Sequence, residues 1–166
     1  MLYFKRPILY NILFAILLLS LYGCNGDKKE KEAGYVAVTK FDSNRNPFKD
    51  LQDAVAEATK TNKRILLDVG GDWCSWCFKL DRLYEQNPDL NKFLYDHYIV
   101  VKINYSKENK NEKFLAQYPQ IPGYPHLFVL ESDGTFLHSQ NTGKLEKGKA
   151  HDKDKVFAFL KEWTKK

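Results

Sequence analysis

Cys74 and Cys77, standing three apart, constrain this chain more than any other feature. Before them runs Arg64 to Val69 (R-I-L-L-D-V), a short apolar stretch rich in strand formers, the pattern of a strand buried on both faces. Gly70-Gly71-Asp72 breaks that run, and Trp73-Cys74-Ser75-Trp76-Cys77 follows. Phe78, Leu80 and Leu83 then recur at helical spacing to about Gln86. Two cysteines this close cannot staple distant parts of a fold. In an oxidising compartment such a pair is a poor structural disulfide and a good redox centre.

The compartment is read from the N-terminus. Lys5 and Arg6 form a positive start, and Ile8 to Leu21 is apolar except for Asn11 and Ser20, the pattern of a secretory signal. That run is shorter than a comfortable membrane span. Leu21-Tyr22-Gly23-Cys24 resembles a bacterial lipobox, in which the cysteine is lipidated and becomes the new N-terminus; Tyr22 is bulkier than the usual residue there. The resemblance implies a signal peptide over 1–23, a lipidated N-terminus and polar tether over 24–34, and a domain over 35–166 on the outer side of a bacterial membrane, periplasm-facing or at the cell surface. An uncleaved anchor and a plain secretory signal are the alternatives, and both also place the domain outside the cytoplasm. Without Lys5 and Arg6 the formal net charge falls from +5 to +3, with signs alternating along the chain, so nothing points to nucleic acid.

The rest of the chain supplies one α/β domain. Tyr35 to Phe41 alternates loosely and reads as a first strand, and Phe48, Leu51, Val55 and Ala58 read as a helix ending near Asn62. After the cysteine helix, Asn87-Pro88 restarts the chain in a short helix through Leu90, Phe93 and Leu94. Tyr98 to Asn104 is a second buried strand, Phe114 to Tyr118 a short helix, and His126 to Glu131 a strand. Ser132-Asp133-Gly134 is a hairpin signal leading to a returning strand over Thr135 to Ser139. Asn141 to His151 reads as a long loop, and Asp152 to Lys165 as an amphipathic helix with Val156, Phe157, Leu160 and Trp163 on one stripe. A β-α-β unit feeding a β-β-α unit gives a central mixed sheet sandwiched by helices, the thioredoxin arrangement.

Within this frame Cys74 is the expected nucleophile. At a helix start it faces unpaired N–H groups and the positive end of the helix dipole, which favour thiolate and bring its pKa below ~8.5. Cys77, one turn inward, is placed to resolve the mixed disulfide. A zinc site would need about four ligands, and His97, His126, His138 and His151 are scattered, so no metal ligands are assigned. Asp68, the one acid in its strand, is expected to point under the cysteine helix, where burial raises its pKa and it takes the Cys77 proton; the alternative is a solvent-exposed strand-end aspartate. Tyr124-Pro125 enters a strand, where a cis bond would turn the chain and present the Tyr124 backbone to an incoming peptide.

Taken together, Asp68, Trp73-Cys74-Ser75-Trp76-Cys77, Tyr124-Pro125 and Gly134 resemble the thioredoxin superfamily, over roughly residues 35–166. The W-C-x-W-C form is most similar to thioredoxin-like lipoproteins and periplasmic thiol–disulfide interchange domains. The resemblance implies Cys74 as nucleophile, Cys77 as resolving cysteine, Asp68 as buried acid and Pro125 as cis-proline. It also implies a redox disulfide between Cys74 and Cys77, protein thiols and disulfides as clients, a membrane electron donor and no cofactor. Reductase or interchange activity is expected ahead of oxidase activity. The competing class is a non-enzymatic binding module or metallochaperone that uses the cysteines as a metal site.

Departures from the family pattern are local. Ser75-Trp76 replaces Gly-Pro, and Phe78 stands where a cation often follows the second cysteine. His126 replaces a hydroxyl residue after the proline and either faces the sulfurs, where its cation would favour thiolate, or faces solvent. Trp73 is expected to cap the core, and Trp76 to be exposed toward clients.

Overall fold

The computed structural model describes residues 34–165. Helix α1 (Pro47–Thr61) starts where Asn46 accepts a hydrogen bond from the Phe48 amide, with Pro47 in the first turn, and stops at Asn62 in the left-handed region (φ 55°). Then follow β1 (Arg64–Gly70), α2 (Ser75–Gln86), α3 (Pro88–His97), β2 (Tyr98–Asn104) and α4 (Glu112–Leu115). The chain closes with β3 (His126–Leu130), β4 (Phe136–Asn141), a 3-10 turn (Thr142–Leu145), β5 (Glu146–Lys147), β6 (Ala150–His151) and α5 (Lys153–Glu162).

One sheet of four strands, ordered β2-β1-β3-β4, forms the centre. β1 runs parallel to β2 and antiparallel to β3. Ile65, Leu67 and Val69 of β1 pack with Phe128 and Leu130 of β3 and with Ala54 and Ala58 of α1 on one face. Leu66 packs with Leu127, Val129, Leu80 of α2, Leu90 and Leu94 of α3 and Leu160 of α5 on the other. Each fully buried aliphatic side chain of this kind contributes about 2 kcal/mol. The sandwich matches the sequence reading, and so does the element order apart from the first strand and the segment before α5.

Three expectations need correction. Tyr35 to Phe41 is not a strand: it makes one parallel bridge, Val38 to Val101, with the Lys102 amide donating to the Val38 carbonyl at 3.2 Å. Val36 is exposed, so the loose alternation buries too little to carry a ladder. The returning strand runs to Asn141 rather than Ser139, with a register shift between Val129 and Leu130. The Asn141 to His151 segment is a 3-10 turn and a small hairpin instead of an open loop. Asn141 Oδ1 accepts from the Gly143 amide at 2.9 Å, and the Thr142 hydroxyl donates to the Pro125 carbonyl. The lipidation expected at Cys24 and the leader over 1–23 lie outside the described residues. Among the described residues no helix is long and apolar enough to cross a membrane.

Candidate redox site

The site forms where β1 ends and α2 begins. Cys74 caps α2, its Sγ accepting from the Cys77 amide at 3.0 Å. The two cysteines are joined in a disulfide. Both are almost fully buried, and Phe41, Trp76 and Tyr124 pack against them. Gly70 makes this possible, because a Cβ there would lie 2.5 Å from Cys77 Sγ and 2.9 Å from the Phe41 ring. The Tyr124–Pro125 bond is cis.

Asp68, two residues before Gly70 on the same face of β1, is buried as expected but not alone. The parallel register sets it opposite Lys102 of β2, whose Nζ lies 2.8 Å from Asp68 Oδ2 and 2.6 Å from Asp81 Oδ1 of α2. Burial works against the Lys102 charge, yet the two carboxylates outweigh it and hold the ammonium above the ordinary lysine range. Burial pushes the Asp81 carboxyl up against the pull of Lys102. Lys102 also sits 4.4 Å from the centre of the Phe41 ring, beside the disulfide. Asp68 Oδ1 is buried without a protein partner. The expected lone carboxylate is thus one end of an Asp68–Lys102–Asp81 chain.

The two tryptophans exchange their expected places. Trp73 is the exposed one, at 57%. Its indole N–H donates to the Tyr105 carbonyl at 2.6 Å, and its ring meets Tyr124 edge-on at 5.6 Å. Gly71 allows that approach, since a Cβ there would lie 2.6 Å from Trp73 Nε1. Tyr124 in turn stacks on Tyr105 at 4.7 Å. Trp76 is half-buried, with Lys79 Nζ 3.8 Å from its ring centre and His151 edge-on at 5.3 Å.

His126 faces neither sulfur nor solvent. It pairs with Val69 and contacts Phe128, which places it on the α1 face of the sheet, opposite Gly70 and Asp68. Its Nε2 lies 2.8 Å from Ser139 Oγ. Burial, helped by nearby His138, pushes its pKa down to about 4, so the expected thiolate-stabilising cation is not there near neutrality.

Four participants escaped the sequence reading: Lys102, Asp81, Tyr105 and His151. Lys102 left a signal, being the one cation in the buried strand Y-I-V-V-K-I-N, matched to the one acid in R-I-L-L-D-V. The others depend on long-range packing with no local signature. Among the described residues no group of three or more His, Cys, Asp or Glu gathers as a metal site.

Comparison with known proteins bears on the fold and the family. A family model described as thioredoxin-like matches residues 46–132. A disulfide bond reductase, DsbH of Chlamydia pneumoniae, is 24% identical over 73% of this chain and 78% of its own length. The thiol:disulfide interchange protein DsbD of Pseudomonas fluorescens is 26% identical over 69% of this chain, which spans only 18% of that larger protein. Among solved structures, a disulphide isomerase from Xylella fastidiosa superposes with a TM-score of 0.64, at 23% identity over 76% of this chain and 97% of that one.

Proposed function

Because the chain belongs to the thioredoxin-like family and is a thiol–disulfide oxidoreductase, we propose that it reduces or interchanges disulfides of protein clients through Cys74, outside the cytoplasm. The observation that carries this reading is the Cys74–Cys77 disulfide at the first turn of α2, on the Asp68 face of β1.

The reduced pair starts the cycle. The Cys74 thiolate, favoured by the helix N-terminus, attacks one sulfur of a client disulfide, forming a Cys74–client bond and releasing one client thiolate. Cys77 then loses its proton and attacks Cys74 Sγ. The Cys74–Cys77 bond forms, the second client thiol leaves, and two electrons have passed to the client. The partnerless Asp68 oxygen is suited to take the Cys77 proton, and Lys102 holds the opposite oxygen in place. The exposed Trp73 ring and the Tyr124 segment beside the disulfide are the surface on which a client would rest. A dithiol donor must restore the reduced pair, and a donor held in the membrane fits the anchor proposed below.

Cys24 is proposed as the lipid anchor, with 25–34 as tether. Incorporation of labelled fatty acid, lost in Cys24→Ala, tests the anchor. For the chemistry, the reduction potential is measured in defined thiol buffers, following tryptophan fluorescence. A value near ~−270 mV is expected for a reductant, and one near ~−120 mV would make it an oxidant instead. Cys77→Ser should accumulate mixed disulfides with clients. A pair that forms no reversible disulfide at any poise sinks the redox reading.

A further inference from the structure

The β5–β6 hairpin lies beyond residues 46–132, the stretch matched by the thioredoxin-like family model. It is nevertheless attached to α2 at two points. Lys79 Nζ donates to the Lys149 carbonyl at 2.8 Å, and His151 Nε2 lies 3.2 Å from the Trp76 carbonyl. His151 is buried and packs edge-on against the Trp76 ring. Its place is fixed by pairing with Glu146 across the hairpin and by the Asp152 amide, which donates to the Leu145 carbonyl at 2.8 Å as α5 begins.

A carbonyl only accepts, so Nε2 must carry the proton and the neutral ring must be the Nε2–H tautomer. Nδ1 is then a bare acceptor, and it is buried without a partner. A second proton on Nδ1 would find no acceptor there. Burial lowers the His151 pKa, while the Trp76 carbonyl, Glu146 and Asp68 work to raise it and Lys79 to lower it. The ring is therefore suited to one task, a fixed donor aimed at one peptide group.

That peptide group belongs to the residue immediately before Cys77, within the turn that joins the two cysteines. We propose that His151 is a positioning residue of the redox centre, its Nε2–H holding the Trp76 carbonyl so that the Cys74–Cys77 turn stays in its ring-closed form. In the disulfide form the bond is made. When the sulfurs separate on reduction the turn is free to relax, so a tether on its backbone favours the closed, oxidised state and raises the effective concentration of each sulfur at the other. The hairpin thereby makes the pair a better electron donor than the turn alone would.

This inference rests on the redox reading above, and its test separates the two. The potential is measured for His151→Leu, His151→Asn and His151→Gln in the full chain, with thermal midpoints taken on the same samples. Leu has no donor, and Asn is one bond too short to reach Trp76. Gln carries an N–H at the same number of bonds from Cα as Nε2. Leu and Asn should each shift the dithiol–disulfide equilibrium about tenfold toward dithiol, a potential about 30 mV less negative. Gln should restore the wild-type value. If Leu does not fold, Asn carries the comparison. An unchanged potential in folded Asn, or a Gln variant shifted as far as Asn, overturns the role of His151. Failure of the wild-type pair to cycle at all overturns the redox reading instead.

Discussion

The two faces of β1 divide the work of this protein. Ile65, Leu67 and Val69 point toward α1 into a largely apolar cluster, with His126 beside Val69 at its edge. Leu66, Asp68 and Gly70 point the other way, and only Leu66 is spent on ordinary packing. Asp68 meets Lys102, and Gly70 has no side chain so that Cys77 can approach. One strand therefore carries packing alone on one side and packing together with chemistry on the other, and alternation with period two is enough to separate them. A change on the α1 face should alter folding and leave the potential alone, whereas a change of the Asp68 carboxylate on the α2 face should alter the chemistry with little effect on folding.

The most severe test is Leu67→Ala. Leu67 is completely buried, and truncation loses its transfer energy and leaves a cavity, about 3 kcal/mol or over a hundredfold in the folding equilibrium. Denaturant unfolding should show that loss, while the reduction potential of the folded fraction stays within error of wild type. A shifted potential would break the division.

On the opposite face, Asp68→Asn keeps shape but cannot accept the Cys77 proton. Resolution of a preformed Cys74 mixed disulfide should slow roughly a hundredfold in stopped-flow measurements near pH 7. Stability should change little, because Asp81 still holds Lys102 at 2.6 Å. An unchanged rate would remove Asp68 from the proton path.

His126 sharpens the comparison because it is a titratable group on the apolar face. Its folded pKa of about 4 lies below the ordinary value of 6.5. As pH falls below 6.5 the unfolded chain takes up the proton first, so this contribution to stability is complete above 6.5 and is lost between 6.5 and 4. The loss is at most about 1.4 kcal/mol, or tenfold, per pH unit. Urea midpoints across that window should fall in the wild type and stay flatter in His126→Asn. Equal slopes would mean that His126 is not held neutral.

The same division explains what the sequence could tell. The apolar face is periodic, so β1, β2 and α1 were legible to within a residue or two, while α4 ends at Leu115 rather than Tyr118 and α5 at Glu162 rather than Lys165; the cysteine pair marked the site directly. Asp68 was legible as buried, but its partner needed the β1–β2 register, which no local pattern states. Tyr35 to Phe41 misled because alternation without a covered neighbour resembles a strand. His126 was judged by its place after Pro125, whereas the side of the sheet decides its environment, and that follows from pairing with Val69. The hairpin over Glu146 to His151 was missed because two-residue strands have no periodicity to read.

The smallest effect belongs to Trp73, at the rim where the two faces end. Its indole N–H donates to the Tyr105 carbonyl, but the ring is 57% exposed and water can replace the bond. Trp73→Phe keeps an aromatic edge against Tyr124 and loses only that donor, so stability should fall by about 1 kcal/mol. The potential should not move, because the Cys74–Cys77 turn is held from α2 and the hairpin instead. Client turnover should change less than Asp68→Asn changes it, and through KM, since a rim aromatic meets the client before any sulfur does. A fall in kcat as large as that of Asp68→Asn would place Trp73 inside the chemistry and move the boundary between the two regions outward to Tyr105.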